Sequence, residues 1–345
     1  MKNRKTIWIL SILIIQVLAL NVSNAQISVQ NKINIVLNDS SAKYILEDLD
    51  RALIEKELIY KRFKGYQMQL DWVNKTFNDS VKNLADSKAL CWYYNTGVED
   101  CKKDSIKVQH LLKSIIELNE LEKKSHDKIS QHLFSYLPSK EGFDLNVYLV
   151  VFIAITGTLN DNDILLRMDW DKDAGTVLNL IVHEAFHVAF HKYKPDFNHS
   201  NDSISKSEIF LQELYRTVQN EGLATWVGYT ALEFSPVTFS DDKSKLSGYD
   251  YLLLDKDTSV KKAFKQVNQI IENSKTFPID SLKKEDWEVG VSERAYYVSG
   301  AYMSKIIEGK YGRKHLAELI RKDDLIFINE YNELVPDEYK LKLLD

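Results

Sequence analysis

Five consecutive residues, His183-Glu184-Ala185-Phe186-His187, hold the side chains that a zinc hydrolase needs. On a helix, positions i and i+4 share a face about 6 Å apart along the axis, so both imidazoles reach one ion. Glu184 stands beside the first imidazole, where a carboxylate can take a proton from a metal-activated water. The chain contains 8 histidines. Chance alone yields H-E-x-x-H in roughly one chain in a hundred of this composition. The weight therefore falls on what surrounds the motif.

The segment around it is apolar nearly all the way round: Val177, Leu178, Leu180, Ile181, Val182, Ala185, Phe186, Val188, Ala189 and Phe190. Such a helix belongs in a domain interior. Two imidazoles and a carboxylate there need partners, because burying an unpaired charge costs several kcal/mol. A metal ion meets that need, and a metal-free hydrogen-bond network is the competing reading. Catalytic zinc usually takes three protein ligands and keeps a fourth position open. His191 lies about 12 Å along the axis from His183, too far to close on the same ion. The metzincin pattern requires Gly at 190 and His at 193, where this chain has Phe190 and Tyr193. His199 sits in a polar loop, Tyr193 to Ser207, and serves only if that loop folds back. Glu221 is better placed. It interrupts the stripe Leu211, Leu214, Val218, Thr225 on the next long helix, where a carboxylate needs a charged partner. Arg216 and Arg294 are the competing partners for it, and Gly222 beside it lets two helices approach closely. Glu213, farther round the same helix, reads as solvated.

His183-Glu184-Ala185-Phe186-His187 followed by Asn220-Glu221-Gly222-Leu223-Ala224-Thr225 resembles the gluzincin metallopeptidases, the thermolysin-like branch of the zincins, over roughly Leu145 to Leu319. In that branch an N-E-x-x-x-D segment supplies the third ligand. The resemblance implies a short twisted sheet packed on two metal-bearing helices, with an edge strand, here Asp163 to Asp169, that pairs with the substrate backbone. Thr225 departs from it, standing where the family often has the Asp that orients a ligand histidine; a hydroxyl accepts that hydrogen bond less strongly. The gap from His187 to Glu221 is also longer than in thermolysin, as in a divergent member with an inserted loop. The stretch Tyr297-Val298-Ser299-Gly300-Ala301-Tyr302-Met303, then Lys310-Tyr311-Gly312, is similar to the helix and Y-G turn after the metal site in several gluzincin families. The resemblance makes Tyr297 the candidate for stabilising an oxyanion, with Tyr296, Arg294 and His315 as rivals. A tyrosine used only as an amphipathic core residue is the plainer alternative.

The elements that must position these groups read as α+β, predominantly helical. Residues 26–38 alternate apolar and polar as a short strand. Ser41 to about Pro138 repeats apolar residues at three- and four-residue steps, a helical lobe without chemistry of its own, whose His110, His126 and His132 read as surface histidines. Leu145 to Thr156 is β-branched and aromatic, and Asp163 to Asp169 follows as a second strand. A helix begins near Asp173 and runs to about Lys192. Residues 236–260 look loop-rich, and residues 261–322 return to helices. The domain reading is a signal peptide at 1–25, a helical N-terminal lobe at 26–140 and a zincin-like catalytic domain at 141–345.

Lys2, Arg4 and Lys5, an apolar run from Ile7 to Leu20 and Ser23-Asn24-Ala25 form an export signal cleaved before Gln26. The run falls short of the ~20 residues of a comfortable membrane span, so no stable anchor is expected after cleavage. Cleavage removes three positive charges and moves the formal charge from −5 to −5 − 3 = −8. An acidic chain without a basic block argues against nucleic acid as partner. Export also makes a Cys91–Cys101 disulfide plausible. The expectation is an exported, periplasmic or extracellular zinc peptidase. One Zn²⁺ sits on His183, His187 and Glu221, Glu184 is the general base, Tyr297 is the oxyanion donor, and a peptide or protein is the substrate. The alternative is a non-catalytic zinc-binding protein that uses its helical lobe to bind a partner.

Overall fold

The computed structural model describes residues 32–77, 82–153, 157–160, 162–169, 172–195 and 205–343. Residues 1–31, with the expected signal segment, and His199 lie outside them. In chain order the elements are β1 (Ile33–Asn38), α1 (Ser40–Glu47), α2 (Leu49–Ile54), α3 (Lys56–Arg62), α4 (Lys64–Phe77), α5 (Lys88–Lys103) and α6 (Ser105–Ser135). Then come β2 (Phe143–Val150), β3 (Gly157–Asn160), β4 (Asp163–Arg167), α7 (Ala174–Tyr193) and α8 (Lys206–Thr230). The remainder is α9 (Ser247–Leu254), α10 (Asp257–Asn273), α11 (Ile279–Glu285), a π-helical stretch Asp286–Ser292, α12 (Ala295–Tyr311), α13 (Arg313–Glu318) and α14 (Asp324–Asn332). The chain is thus predominantly helical around one small sheet. Among the described residues, no helix is long and apolar enough to cross a membrane.

The sheet runs in the order β1-β2-β4-β3. β1 and β4 flank β2 in parallel, with Leu37 opposite Val147 and Val147 opposite Ile164. β3 joins β4 antiparallel and forms one edge. This corrects the expectation that Asp163 to Asp169 is the edge strand: it is internal, and its buried run Asp163–Leu166 is the mark of a strand covered on both faces. The first strand of the lobe, β1, belongs to the same sheet as β2 and β4. The apolar run from Leu145 stops being a strand at Val150. The chain turns at Phe152, whose backbone is left-handed (φ 59). Gly97 on α5 faces the Phe152 ring so closely that a Cβ there would come within 2.4 Å of it.

Two readings of the lobe are corrected. Cys91 and Cys101 are free thiols. Both lie on α5, ten residues and about 15 Å apart along its axis, well beyond the span of a disulfide. His110 is exposed, but His132 is half-buried, its Nε2 2.9 Å from the Val227 carbonyl and its ring against Tyr136 and Phe234. His126 is likewise half-buried, 2.5 Å from Glu122. Part of the cover over His132 comes from outside the lobe, from Val227 near the end of α8 and Phe234 after it.

Three devices place α7 and α8. Asp173 caps α7 by accepting from the Thr176 N–H at 2.7 Å, and a Ser205–Glu208 capping box starts α8. Lys194, immediately after α7, is buried; its Nζ lies 2.5 Å from Asp324 and donates to Gln219 of α8 and to the Lys322 carbonyl, both at 2.8 Å. Third, α8 crosses α12 with backbones touching. A Cβ on Gly222 would sit 2.2 Å from Gly300 Cα, and one on Gly300 would sit 2.1 Å from the Val218 carbonyl oxygen. These neighbours are backbone atoms, so only a shift of whole helices could make room. Gly300→Ala is therefore expected to destabilise the protein by about 2 kcal/mol or more, despite gaining ~1 kcal/mol of helix propensity. Urea unfolding checks this, and a midpoint at or above the wild-type value contradicts so tight a crossing.

Candidate metal centre

Every residue of α7 from Ala174 to Phe190 is buried except Glu184, which is half-exposed. Over that stretch the helix surfaces at one carboxylate, and the buried His183 and His187 flank it in sequence. Their Nε2 atoms are 3.0 Å apart. Glu221 Oε2, reaching across from α8, lies 3.5 Å from His183 Nε2 and 3.2 Å from His187 Nε2. One atom from each of these three side chains thus converges on a common point, and the group has the composition of a metal site.

The spacing suits zinc. Ligand atoms at 2.0–2.1 Å from a tetrahedral ion sit about 3.3 Å from one another, and the three measured separations bracket that value. The hydrogen bonding points the same way. Glu221 Oε2 is buried and, despite its two close nitrogens, receives no hydrogen bond of acceptable geometry. The two ring nitrogens meet each other at 3.0 Å, and the Glu221 oxygen beside them is left with a free lone pair. In the ion-free protein this proximity couples their titration. Burial pulls the His187 pKa down, but the Glu221 carboxylate beside it more than reverses this and holds it up at about 9. Burial favours neutral Glu221, but the two imidazoles keep its carboxyl far below the usual carboxylate range. The pocket already places a positive charge against this carboxylate, and a cation can take over that role as protons leave.

His187 is oriented from behind: its Nδ1 lies 2.9 Å from Asn220 Oδ1. A hydrogen bond to the far nitrogen fixes which tautomer faces a metal. Sequence reasoning gives Asn220 no role of its own, although it stands next to Glu221 on the same helix. Thr225, the residue in the expected orienting position, is buried, and its hydroxyl has no hydrogen-bond partner. The alternative partners for Glu221 are engaged elsewhere. Arg216 lies beside Asp324 and donates to the Pro195 carbonyl. Arg294 forms a two-point ion pair with Asp250 at 2.8 and 2.6 Å. His191 and Glu213 are exposed.

The rivals for an oxyanion donor separate as clearly. The Tyr296 hydroxyl donates to Asp286, and His315 pairs with Glu330 at 2.5 Å. Tyr297 is the tyrosine at the site, its ring parallel to His183 (13°) with centroids 6.1 Å apart. Burial, with the negative charges of Glu221, Asp250 and Glu184 added, raises its pKa far above the ordinary phenol value, so it stays a proton donor at neutral pH. Arg294 is at the site as well, its guanidinium 3.2 Å from the Tyr297 ring centre. Its partner Asp250 lies on α9, inside the stretch that reads from sequence as loop-rich, and no local signal marks it.

Residues 38–338 match the model of a family described as "Putative zinc dependent peptidase (DUF5700)". The match covers well over half the chain, so the chain belongs to that family. No curated protein and no solved structure matches it.

Removal of the orienting bond gives a direct check on the centre. Asn220→Ala is expected to weaken zinc binding about ten- to a hundred-fold, whereas Glu221→Ala should abolish stoichiometric zinc. Competition against a chromophoric chelator measures both, and wild-type affinity in Glu221→Ala contradicts the ligand assignment.

Proposed function

We propose that this member of the family is an exported zinc-dependent peptidase of the gluzincin type. His183, His187 and Glu221 hold one Zn²⁺, and Glu184 moves the proton. The observation that carries the reading is the triangle of 3.0, 3.2 and 3.5 Å between three buried ligand atoms, with Glu184 the one residue between Ala174 and Phe190 that is not buried. The family description supports peptide-bond hydrolysis. The N-terminal apolar run supports export to the periplasm or the cell exterior.

When bound, zinc supplies a Lewis acid that makes water more acidic and polarises a carbonyl oxygen. The remaining steps belong to the chain's own residues. Glu184 accepts a proton from the attacking water as the new C–O bond forms at the scissile carbonyl carbon. It returns that proton to the amine nitrogen as the C–N bond breaks, so the amine leaves neutral. Tyr297, kept protonated by its surroundings, donates a hydrogen bond to the oxygen that gains charge. Asn220 holds His187 in the tautomer that keeps Nε2 free for the ion. The substrate backbone runs along β3, the antiparallel edge of the sheet, which takes the place assigned to Asp163–Asp169 from sequence.

The alternative, zinc used only to clamp α7 to α8, draws support from the unpartnered Thr225 hydroxyl. Turnover separates the two readings. Glu184→Gln should keep one zinc per chain while kcat/KM on a mixed peptide library falls by about 10²–10⁴-fold. Undiminished hydrolysis in that variant overturns the proton-transfer role, and a zinc-loaded wild type inert across the library favours the clamp.

A further inference from the structure

We propose that Arg294, braced by Asp250, is a positioning residue that holds the Tyr297 ring on His183 and so fixes the plane of that imidazole for metal binding. The inference rests on the zinc reading above and extends it to residues outside the ligand set.

The two histidines are held differently. His187 has Asn220 behind it, but among the described residues no hydrogen bond reaches His183 Nδ1; His183 meets His187 and Glu221 through Nε2 alone. Nor does the Thr225 hydroxyl supply one. An imidazole ligand with a free far side can swing about its ring bonds, and such looseness weakens a metal site. What restrains His183 is packing against the parallel Tyr297 ring. That ring is covered in turn by the Arg294 guanidinium at 3.2 Å. Arg294 cannot drift, because two of its nitrogens are tied to Asp250, whose side chain is only 3 % exposed.

The backbone accommodates this arrangement at a cost. Arg294 adopts φ 66, ψ 21, a left-handed conformation that a non-glycine residue rarely takes, as the residue preceding α12. The ion pair with Asp250 accounts for a positive charge here, but not for an arginine in particular, since a lysine could supply that charge. The planar guanidinium, able to stack on a ring while bonded edge-on to a carboxylate, does explain it.

The sign of one substitution separates this role from electrostatics. Arg294→Met removes a positive charge and leaves Asp250 negative, so electrostatics alone predicts tighter zinc. Loss of positioning predicts zinc binding about ten- to a hundred-fold weaker, with altered visible bands in the cobalt-substituted protein. Arg294→Lys keeps the charge but not the planar fork, and should behave like Arg294→Met. Tyr297→Phe keeps the ring and should retain wild-type zinc affinity and cobalt bands, whereas Tyr297→Leu should lose both. If Arg294→Met fails to fold in metal-free thermal unfolding, the Phe and Leu pair at 297 decides. Arg294→Met that binds zinc as tightly as wild type with unchanged bands, or Tyr297→Leu indistinguishable from Tyr297→Phe, overturns the positioning role alone. A wild type that binds no zinc overturns the peptidase reading with it.

Discussion

Glu221 imposes the condition that organises this protein. It is a carboxylate carried on an apolar stripe, and the interior cannot hold its charge without positive charge in contact with it. The two guanidinium groups that compete for it are paired with other acids, Arg216 beside Asp324 and Arg294 on Asp250. That leaves the two imidazoles of α7, and α7 and α8 must run so that His183, His187 and Glu221 meet. A helix pair that satisfies this contact has already built three corners of a metal site.

The rest of the architecture can be read as keeping that meeting point within a few tenths of an ångström. Lys194 binds the end of α7 to Gln219, two residues before Glu221. Gly222, the residue after Glu221, lets α12 press its backbone onto α8 at Gly300. Gly300 lies one turn beyond Tyr297, so the same crossing that seats Glu221 also delivers the phenol ring to His183. Two small residues thus do what no side-chain contact could. They bring a third helix near enough for its first turn to share the site.

The candidate ligands are legible in the sequence because each violates its surroundings: two histidines and a glutamate on helices otherwise apolar on the buried face. The same logic excludes His191 by distance along the axis and Glu213 by its place on the solvated face. Other features leave no such trace. The family resemblance puts the sheet edge at β4, and nothing local corrects it, because strand order depends on which partners lie on either side and four residues of β3 are too few to announce a neighbour. The Cys91–Cys101 pairing fails because the intervening residues continue one helix. Asp250 is hidden because its partner, Arg294, lies 44 residues away and the left-handed turn that aims Arg294 carries no glycine to mark it. Asn220 is in plain view beside Glu221, yet its bond to His187 exists only once two helices are side by side.

Local periodicity and residue type alone therefore determined the helical character, the interior placement of α7 and the three metal-seeking side chains. Those properties follow from spacing along one chain segment and from the cost of burying charge. Tertiary structure decided the strand order, the Asn220 partner behind His187 and the aromatic ring that lies parallel to His183. Each of these depends on where a second element, distant in sequence, happens to cross the first, and periodicity within a segment carries no information about the crossing.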